Sequence, residues 1–389
     1  MASTQSARIL IVAECLLRQW FEGTALIVRH FIRHLPEGVA CEVWSLGDPG
    51  DAAELNPRCT FKTVTVPKER QRAWLLRALG WQISHRKVKQ ENNGLPQACR
   101  DADAILIFSS AESPVTSLIL KHWAAKTTLH LTDCASLHAV RFGNRRHYLR
   151  HRICEWKAAR ANPRVIVFVS VLDAETFTRT AKPAGKPALA LPLGVDIDQF
   201  QPGPASADDP DRPFTILFTG VLSYFPNMRA AGYIARELLP LLPQSTRVII
   251  AGMEPRPELY EIAARDPRLV ITGALPDIEK IYHQADVFVA PMKEGAGMQN
   301  KILQALASGL PVITTPICAA AFAVVPEAII VRPTIPDMVD AIAKFQADPD
   351  HRAQLARAAR QFAVDELSWP HRCLVMLELA GIEINADIR

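Results

Sequence analysis

Three loops in the second half of the chain contain the residues whose types and spacing could hold an anion. They run over 220–227, 273–277 and 291–300, and each contains glycine and directly follows a short run of apolar residues typical of a buried strand. Glycine lets the backbone approach a ligand closely, and a helix start favours negative charge. We therefore predict an anion-binding region at these strand ends, although any one such loop, taken alone, is more often an ordinary turn.

Lys301 is the side chain best placed to contact such an anion. It stands three residues before Gln304, so both lie on one face of the helix that follows the third loop. A cation in the first turn of a helix is disfavoured by the helix dipole unless an anion is near. The alternative is a solvated surface lysine.

Asp133 is the corresponding candidate in the first half of the chain. It follows the strand pattern L-H-L-T-D, and a carboxylate at a strand end could orient a hydroxyl group or take its proton. The alternative is a cap for a helix that begins at Ala135. His130 lies within the same strand and is expected in or near the core.

Strands and helices alternate through both halves, which is typical of parallel sheets. In the first half we predict strands at 8–13, 41–46, 104–108, 128–131 and 165–169. In the second half we predict strands at 215–219, 247–251, 269–272, 287–290, 312–314 and 329–331, with helices between them. A Pro- and Asp-rich segment at 203–213 separates the two halves. The fold class is therefore α/β, with two doubly wound domains whose strand ends face a shared cleft.

Five motifs, taken in order, resemble those of family-4 glycosyltransferases, which adopt the GT-B fold. They are S-V-L-D-A-E-T-F from Ser170, L-P-L-G-V-D-I-D-Q-F-Q-P from Leu191, F-T-G-V-L-S-Y-F-P-N from Phe218, V-I-T-G-A-L-P-D from Val270 and G-M-Q-N-K-I-L-Q-A-L-A-S-G from Gly297. In detail they are most similar to bacterial sugar transferases associated with exopolysaccharide synthesis. The resemblance implies two Rossmann-like domains around a central cleft. Residues 1–195 and a returning helix at 371–389 would bind the acceptor, and residues 196–370 would bind the nucleotide-sugar.

The resemblance also implies a retaining, metal-independent enzyme that moves a sugar from a nucleoside-diphosphate sugar to a glycan or lipid-linked acceptor. The implied donor-binding residues are Gly220, Asn227, Gly273, Leu275, Gly297, Met298, Gln299, Asn300, Lys301 and Gln304. The implied catalytic residues are Asp133, Glu294, Lys301 and Arg229, and the implied loop beneath the transferred sugar contains Glu22, Gly23 and Thr24. No cofactor is expected, because the nucleoside-diphosphate sugar is a co-substrate. Arg229 and Arg256 would replace the family's basic pair at the leaving diphosphate.

One departure from the family concerns its two glutamates, which lie eight residues apart. The matching positions here hold Ala296 and Gln304, while Glu294 lies two residues before the first of them. An amide oxygen can accept a hydrogen bond from a ribose hydroxyl, but without the charge that strengthens such a bond. Two alternatives therefore stand beside the enzyme: a catalytically impaired scaffold or binding subunit, and a sugar-nucleotide epimerase.

Charge is distributed unevenly, because Lys and Arg are in excess over residues 1–200 and Asp and Glu over the remainder. The stretch Lys68–Lys89 is basic and amphipathic, and Arg141–Arg160 adds further arginines and a lysine. Such stretches can lie on an anionic membrane, hold an anionic acceptor or form a solvated helix face. No motif for nucleic-acid binding accompanies them.

The composition and the cysteines exclude several other classes of protein. The chain has 389 residues, of which 49% are apolar and 22% charged, so we expect a globular protein. The eight cysteines have no metal-binding spacing, and they are expected to be free thiols in the core. We predict a cytoplasmic protein without a metal site, with a peripheral position on the inner face of the membrane if the basic stretches bind lipid.

Overall fold

The computed structural model describes residues 7–15, 17, 23–66, 85–141, 145–203, 212–294 and 298–383. These residues form two compact units. Unit 1 contains the residues up to Pro192 together with those from Trp369 onward, and unit 2 contains Leu193–Ser368. The chain thus joins unit 2 before the segment 203–213, since the Phe200 ring packs edge-on against the Tyr282 ring with centroids 5.6 Å apart.

Unit 1 is built on a parallel sheet whose strands, within the described residues, have the order β3-β2-β1-β4-β5-β6-β7. The strands are β1 (Ala7–Ala13), β2 (Val39–Leu46), β3 (Cys59–Val64), β4 (Ala104–Phe108), β5 (Thr127–His130), β6 (Val165–Phe168) and β7 (Leu189–Ala190). The helices are α1 (Gly23–Arg33), α2 (His85–Glu91), α3 (Leu95–Asp101), α4 (Pro114–Trp123), α5 (Ala135–Arg141), α6 (Arg145–Arg160), α7 (Val171–Ala181) and α15 (Trp369–Leu379). Strand β4 is buried at every position, as expected for a central parallel strand.

Unit 2 repeats this plan with a sheet of order β10-β9-β8-β11-β12-β13. Its strands are β8 (Phe214–Thr219), β9 (Thr246–Ala251), β10 (Leu269–Ile271), β11 (Val287–Ala290), β12 (Val312–Thr314) and β13 (Ile329–Val331). Its helices are α8 (Phe225–Tyr233), α9 (Pro257–Arg265), α10 (Glu279–Tyr282), α11 (Asn300–Ala307), α12 (Pro316–Ala319), α13 (Ile335–Ala347) and α14 (Pro349–Leu367). A π-helical turn, Ile234–Leu238, continues α8.

The predicted fold class is confirmed, since both sheets are parallel and the crossover connections between their strands contain helices. The last helix, α15, packs on α1 within unit 1, where the Trp369 and His30 rings stack with centroids 4.6 Å apart. All eight cysteines are buried, and none of them forms a disulfide among the described residues. Among the described residues, no helix has both the length and the apolar character needed to cross a membrane.

The strand orders determine where ligands are expected. In unit 1 the direction of strand addition reverses between β1 and β4, and in unit 2 it reverses between β8 and β11. Ligands of doubly wound sheets bind outside the carboxyl ends of the strands at such a switch point. Ligands are therefore expected at the loops after β1, β4 and β5 in unit 1 and at those after β8, β9 and β11 in unit 2.

Candidate functional site

Three glycines follow three adjacent strands of unit 2 and hold their loops against one another. Gly220 follows β8, Gly252 follows β9 and Gly273 follows Thr272 at the end of β10. The amide of Gly220 donates to the carbonyl of Ala251 at 3.0 Å, and the amide of Gly252 donates to the carbonyl of Gly273 at 3.0 Å. A Cβ at Gly252 would lie 1.8 Å from the Gly220 carbonyl oxygen. Position 252 therefore requires glycine, which the sequence analysis did not identify although A-G-M-E-P follows a strand.

Lys301, in the first turn of α11, is the most unusual charge in unit 2. Its side chain is buried, with the residue 7% exposed, so the alternative of a solvated lysine is wrong. The Nζ atom donates to Oδ1 of Asn227 and lies 5.1 Å from the centre of the Phe218 ring. Burial lowers the pKa of Lys301 to about 8. The contacts that the structure gives this charge are to neutral groups, among them the Asn227 oxygen and the Phe218 ring.

The other loops bring two predicted donor-binding residues to this lysine. Asn227 is buried near the start of α8, and its Nδ2 donates to the Val221 carbonyl at 3.0 Å, which turns its oxygen toward Lys301. A Cβ at Gly220 would lie 3.3 Å from the lysine Nζ and 2.7 Å from Asn227 Nδ2. The glycine, the asparagine and the lysine, although far apart in sequence, therefore form one site.

Gln304 lies one turn further along α11 and is held by the core. Its Oε1 accepts a hydrogen bond from the Tyr282 hydroxyl at 3.0 Å, and that hydroxyl lies 2.8 Å from Thr219 Oγ1. Tyr282 is fully buried, which raises the pKa of its hydroxyl and keeps it a donor. The orienting tyrosine was not predicted, because its position in the sequence gives no sign that it contacts residue 304.

Arg229 and Glu294, both predicted as catalytic, contact each other. Arg229 Nε lies 3.4 Å from Glu294 Oε1, and the guanidinium also donates to the Tyr233 hydroxyl at 2.6 Å. The second oxygen of Glu294, Oε2, is buried and has no hydrogen-bond partner among the described residues.

The remaining predicted donor-binding residues lie in the second and third loops. Met298 is buried, Gln299 is the N-cap residue of α11 and Asn300 begins that helix with a buried Oδ1 that has no partner in the described chain. Leu275 is half-buried in the loop after β10, whereas Gly297 and Ala296 lie outside the described residues.

Two further charged residues lie near these loops. Asp277 precedes α10, which begins at Glu279, and the Asp277 carboxylate pairs with Lys280 at 2.6 Å. Arg256 is exposed at the N-cap position of α9, and its predicted role at the leaving diphosphate stays a prediction.

In unit 1, Asp133 and Thr24 line one cavity of about 340 Å³ at the carboxyl ends of β1, β4 and β5. Thr24 Oγ1 lies 2.8 Å from Thr132 Oγ1. Gly23 is the first residue of α1, and Glu22 lies outside the described residues. The roles predicted for Asp133 and for this loop stay predictions, although the structure brings the two segments together.

Two neighbouring groups are structural. In the first turn of α5, the amide of Ser136 donates to Glu155 at 2.9 Å, so this helix start is held by a buried glutamate from α6. His130 is buried beside the Phe108 ring, and burial lowers its pKa to about 4, which confirms its expected place in the core.

The basic stretches are described only in part. Residues 68–84 lie outside the described residues. In α6, Leu149 and Trp156 are 63% and 48% exposed, and the Arg160 guanidinium lies 5.7 Å from the Trp156 ring centre. Arg150 instead pairs with Glu112 at 2.5 Å.

Among the described residues, no group of three or more His, Cys, Asp or Glu side chains is placed to hold a metal ion. In unit 2 the side chains gathered at the strand ends are an ammonium, a guanidinium, two carboxamides and a carboxylate. These groups can bind phosphate oxygens and hydroxyl groups.

Comparison with known proteins gives a consistent result. Residues 213–348 match the family described as glycosyl transferases group 1. The chain is 29% identical over 245 residues to a GDP-mannose-dependent alpha-(1-6)-phosphatidylinositol monomannoside mannosyltransferase of Mycolicibacterium smegmatis, an alignment that covers 55% of this chain and 61% of that protein. The match thus spans less than two thirds of that relative.

Two solved structures share the fold over nearly the whole chain. HepE of Anabaena, in complex with UDP and glucose, is 15% identical with a TM-score of 0.67, and the match covers 96% of this chain and 99% of that one. The sucrose-phosphate synthase of Thermosynechococcus elongatus is 16% identical with a TM-score of 0.69, over 96% and 98% of the two chains. At such identities the likeness shows the fold alone.

Proposed function

We propose that the protein is a glycosyltransferase, because residues 213–348 match the family described as glycosyl transferases group 1 and the chain has the GT-B fold. In this proposal it moves a sugar from a nucleoside-diphosphate sugar to a glycan or lipid-linked acceptor. The donor binds to unit 2, and the acceptor binds in the cavity of unit 1. A place in exopolysaccharide or other cell-surface glycan synthesis rests only on the sequence resemblance.

The observation that carries the proposal is the buried Lys301 at the row of glycine loops. During transfer the bond between the sugar carbon and the diphosphate oxygen breaks, a bond to the acceptor oxygen forms, and the acceptor hydroxyl loses its proton. Negative charge therefore develops on the leaving diphosphate, and a preorganised cation nearby stabilises it. Asn227 holds Lys301 in place for this role.

The neighbouring residues have complementary roles in the proposed site. Gln304, oriented by Tyr282, hydrogen-bonds the ribose. Glu294 accepts hydroxyl groups of the transferred sugar through its unpartnered oxygen, while Arg229 adds a second positive charge beside it. Lys301, Arg229 and the start of α11 supply charge of the sign that the leaving group needs, and a metal-independent reaction is part of the proposal. Retention of the anomeric configuration is included on the resemblance.

The donor site can be tested by thermal shift and calorimetry with UDP, GDP, ADP and their sugar derivatives. We expect one nucleoside diphosphate to raise the melting temperature of the wild type, and the Lys301→Ala variant to lose that shift. Lys280→Ala removes a lysine that is exposed and paired with Asp277, so this control should behave as the wild type. Equal shifts for wild type and Lys301→Ala, or no shift with any nucleotide, would contradict the assignment.

A second candidate, a catalytically impaired binding subunit, is favoured by one observation, the amide at Gln304 where the family has a carboxylate. Turnover separates the two. Release of nucleoside diphosphate from the sugar nucleotide that binds, in the presence of an extracted glycan acceptor, supports the enzyme. Tight binding of the donor without release of nucleoside diphosphate from any donor would support the binding subunit.

We further propose that the protein is cytoplasmic and binds the inner face of an anionic membrane through α6. Leu149 and Trp156 are exposed apolar side chains, and Lys157 and Arg160 are exposed cations beside them. Such a face suits headgroups of negative charge, to which each basic group adds about 1 kcal/mol.

This membrane proposal predicts co-sedimentation with phosphatidylglycerol-containing vesicles but not with pure phosphatidylcholine. The double variant Leu149→Ala, Trp156→Ala should reduce binding at least tenfold. Tyr260→Ala, which removes an aromatic side chain of unit 2 with 47% exposure, serves as the matched control. Unchanged binding of the double variant would rule out this helix face.

A further inference from the structure

The cavity of unit 1 lies at the switch point of its sheet and carries information about the acceptor. Its lining comes from the segments after β1, β4 and β5 and from α6, and its volume of about 340 Å³ lies within the range of small-molecule sites. Most of its lining groups are hydroxyls and carboxyls. They are Glu14, Thr24, Ser109, Ser110, Glu112, Thr132, Asp133 and Glu155, with His151 as the basic group among the described residues.

The charges of this lining do not suit a phosphate. Among the described lining residues there is no lysine or arginine. Two basic groups beside it already have a partner, because Arg150 and His151 both lie against Glu112. A phosphate placed here would face further carboxyl groups without a matching lysine or arginine among the described lining residues, and like charges at close range are mutually destabilising. Uncharged hydroxyl groups meet no such repulsion.

Glu14 lines the cavity and also contacts Ser113, the N-cap residue of α4. It directly follows β1, and its amide donates to the Phe108 carbonyl at 3.1 Å, which fixes it between the central strands. Its carboxyl group accepts a hydrogen bond from the Ser113 hydroxyl. Burial raises the pKa of Glu14 to about 7, so near neutral pH the group can both donate and accept hydrogen bonds. The sequence analysis did not identify it, because a single glutamate after an apolar strand belongs to no local motif.

We propose that this cavity binds an uncharged polyol and that the Glu14 carboxyl group hydrogen-bonds its hydroxyls. The further assignment of that polyol as the sugar unit carrying the acceptor hydroxyl rests on the proposed function. Any phosphate of a lipid-linked acceptor then lies outside this cavity. Each hydroxyl of a polyol both donates and accepts a hydrogen bond. Protein groups that can also do both, such as the hydroxyls and the Glu14 carboxyl group of this cavity, are therefore suited to bind adjacent hydroxyls.

The proposal can be tested by saturation-transfer NMR and calorimetry on the full chain. The probes are the methyl glycosides of glucose, galactose and mannose and myo-inositol, with inorganic phosphate and glycerol phosphate as the charged comparison. The variants are Glu14→Ala, Glu14→Gln and, as a matched control, Glu37→Gln, which changes an exposed glutamate of the same unit. Nucleoside-diphosphate binding is measured on each variant as an independent report on unit 2.

We expect at least one neutral polyol to bind the wild type and Glu37→Gln, and to bind Glu14→Ala at least tenfold more weakly. Glu14→Gln should stay within about threefold of the wild type, since an amide also donates and accepts. Phosphate competing as well as the polyols, no polyol binding to the wild type, or equal binding to Glu14→Ala would each overturn the proposal. Nucleotide binding is measured separately from polyol binding. A wild-type protein that binds no nucleotide would therefore contradict the proposed function without deciding whether the polyol site exists.

Discussion

Replacing Lys301 by methionine should stabilise the chain while abolishing its nucleotide binding. Burial lowers the pKa of Lys301 from 10.5 to about 8. At about 1.4 kcal/mol per pKa unit, the charged form is disfavoured in the folded state by about 3 kcal/mol at neutral pH. Methionine has a similar shape without the charge, so the variant avoids this cost. It also lacks the hydrogen bond to Asn227, and losing that bond removes about 1 kcal/mol of the gain in folding stability. The net gain is about 2 kcal/mol, and a domain of this size shifts its melting temperature by about 2–4 °C per kcal/mol.

The pH dependence of folding stability and of nucleotide binding gives the same reasoning a second test. Since the folded pKa of Lys301 lies below the unfolded value, the unfolded chain binds more protons between about pH 8 and 10.5. The contribution of Lys301 to folding stability is therefore unfavourable below pH 8 and becomes less so as the pH rises through that window. Diphosphate binding has the opposite trend, because it uses the charged lysine and should weaken above about pH 8. Subtracting the stability of Lys301→Met from that of the wild type at each pH isolates the contribution of this lysine from that of other groups that titrate between about pH 8 and 10.5.

Scanning fluorimetry from pH 6 to 10, with and without the nucleoside diphosphate that binds best, measures both effects. Lys280→Met is the control, because its exposed ammonium pairs with Asp277 and should shift neither quantity by much. The reasoning is refuted if Lys301→Met melts several degrees below the wild type and still binds nucleotide. In that case the lysine is a structural residue and the donor site lies elsewhere.

Three further predictions follow from the same contacts. Gly252→Ala should lower the melting temperature by several degrees and abolish nucleotide binding, since its Cβ would lie 1.8 Å from a backbone oxygen. Gly232→Ala is the control and should have neither effect, because the nearest side-chain atom to its Cβ would be a nitrogen 3.7 Å away. His130→Asn should reduce acid sensitivity in thermal melts. The folded pKa of about 4 lies below the usual 6.5, so the stability from the neutral ring is present above pH 6.5 and lost as the pH falls toward 4. Gln304→Glu should raise the pKa of Lys301, so that nucleotide binding measured by calorimetry weakens at a higher pH than in the wild type. If binding weakens at the same pH in both proteins, the two side chains do not interact.

The strands of the sheet interiors could be predicted from sequence because each is a short run of apolar residues ended by glycine, proline or a polar residue. The segments β4, β11, β12 and β13 have the bounds that this pattern predicts. Strand β3 was missed, since it lies at the sheet edge and most of its side chains are not buried. A pattern of burial cannot identify a strand that is not itself buried.

The contacts within the site could be predicted only in part. Glycine and lysine at strand ends were found because their local sequence has a physical meaning. The pairing of Arg229 with Glu294 and of Tyr282 with Gln304 depends on which loops the sheet order makes adjacent, and no local pattern contains that order. The burial of Lys301 has the same origin, because the residues that cover it come from β8 and α8. The role of Glu14 depends on strand β4 lying beside it.

Gln304 and Lys301 are best understood as one arrangement rather than as a defect beside a functional residue. A carboxylate at position 304 would lie on the same helix face as the ammonium, and an ion pair between them would have to be broken or weakened when a diphosphate binds. With an amide there, neutral groups, the Asn227 oxygen and the Phe218 ring, compensate the buried charge only in part. In the proposed donor site, the remaining electrostatic free energy would be released when an anion binds, which would strengthen diphosphate binding. The amide at 304 is therefore compatible with a working donor site as well as with an impaired binding subunit, and the turnover measurement decides between the two.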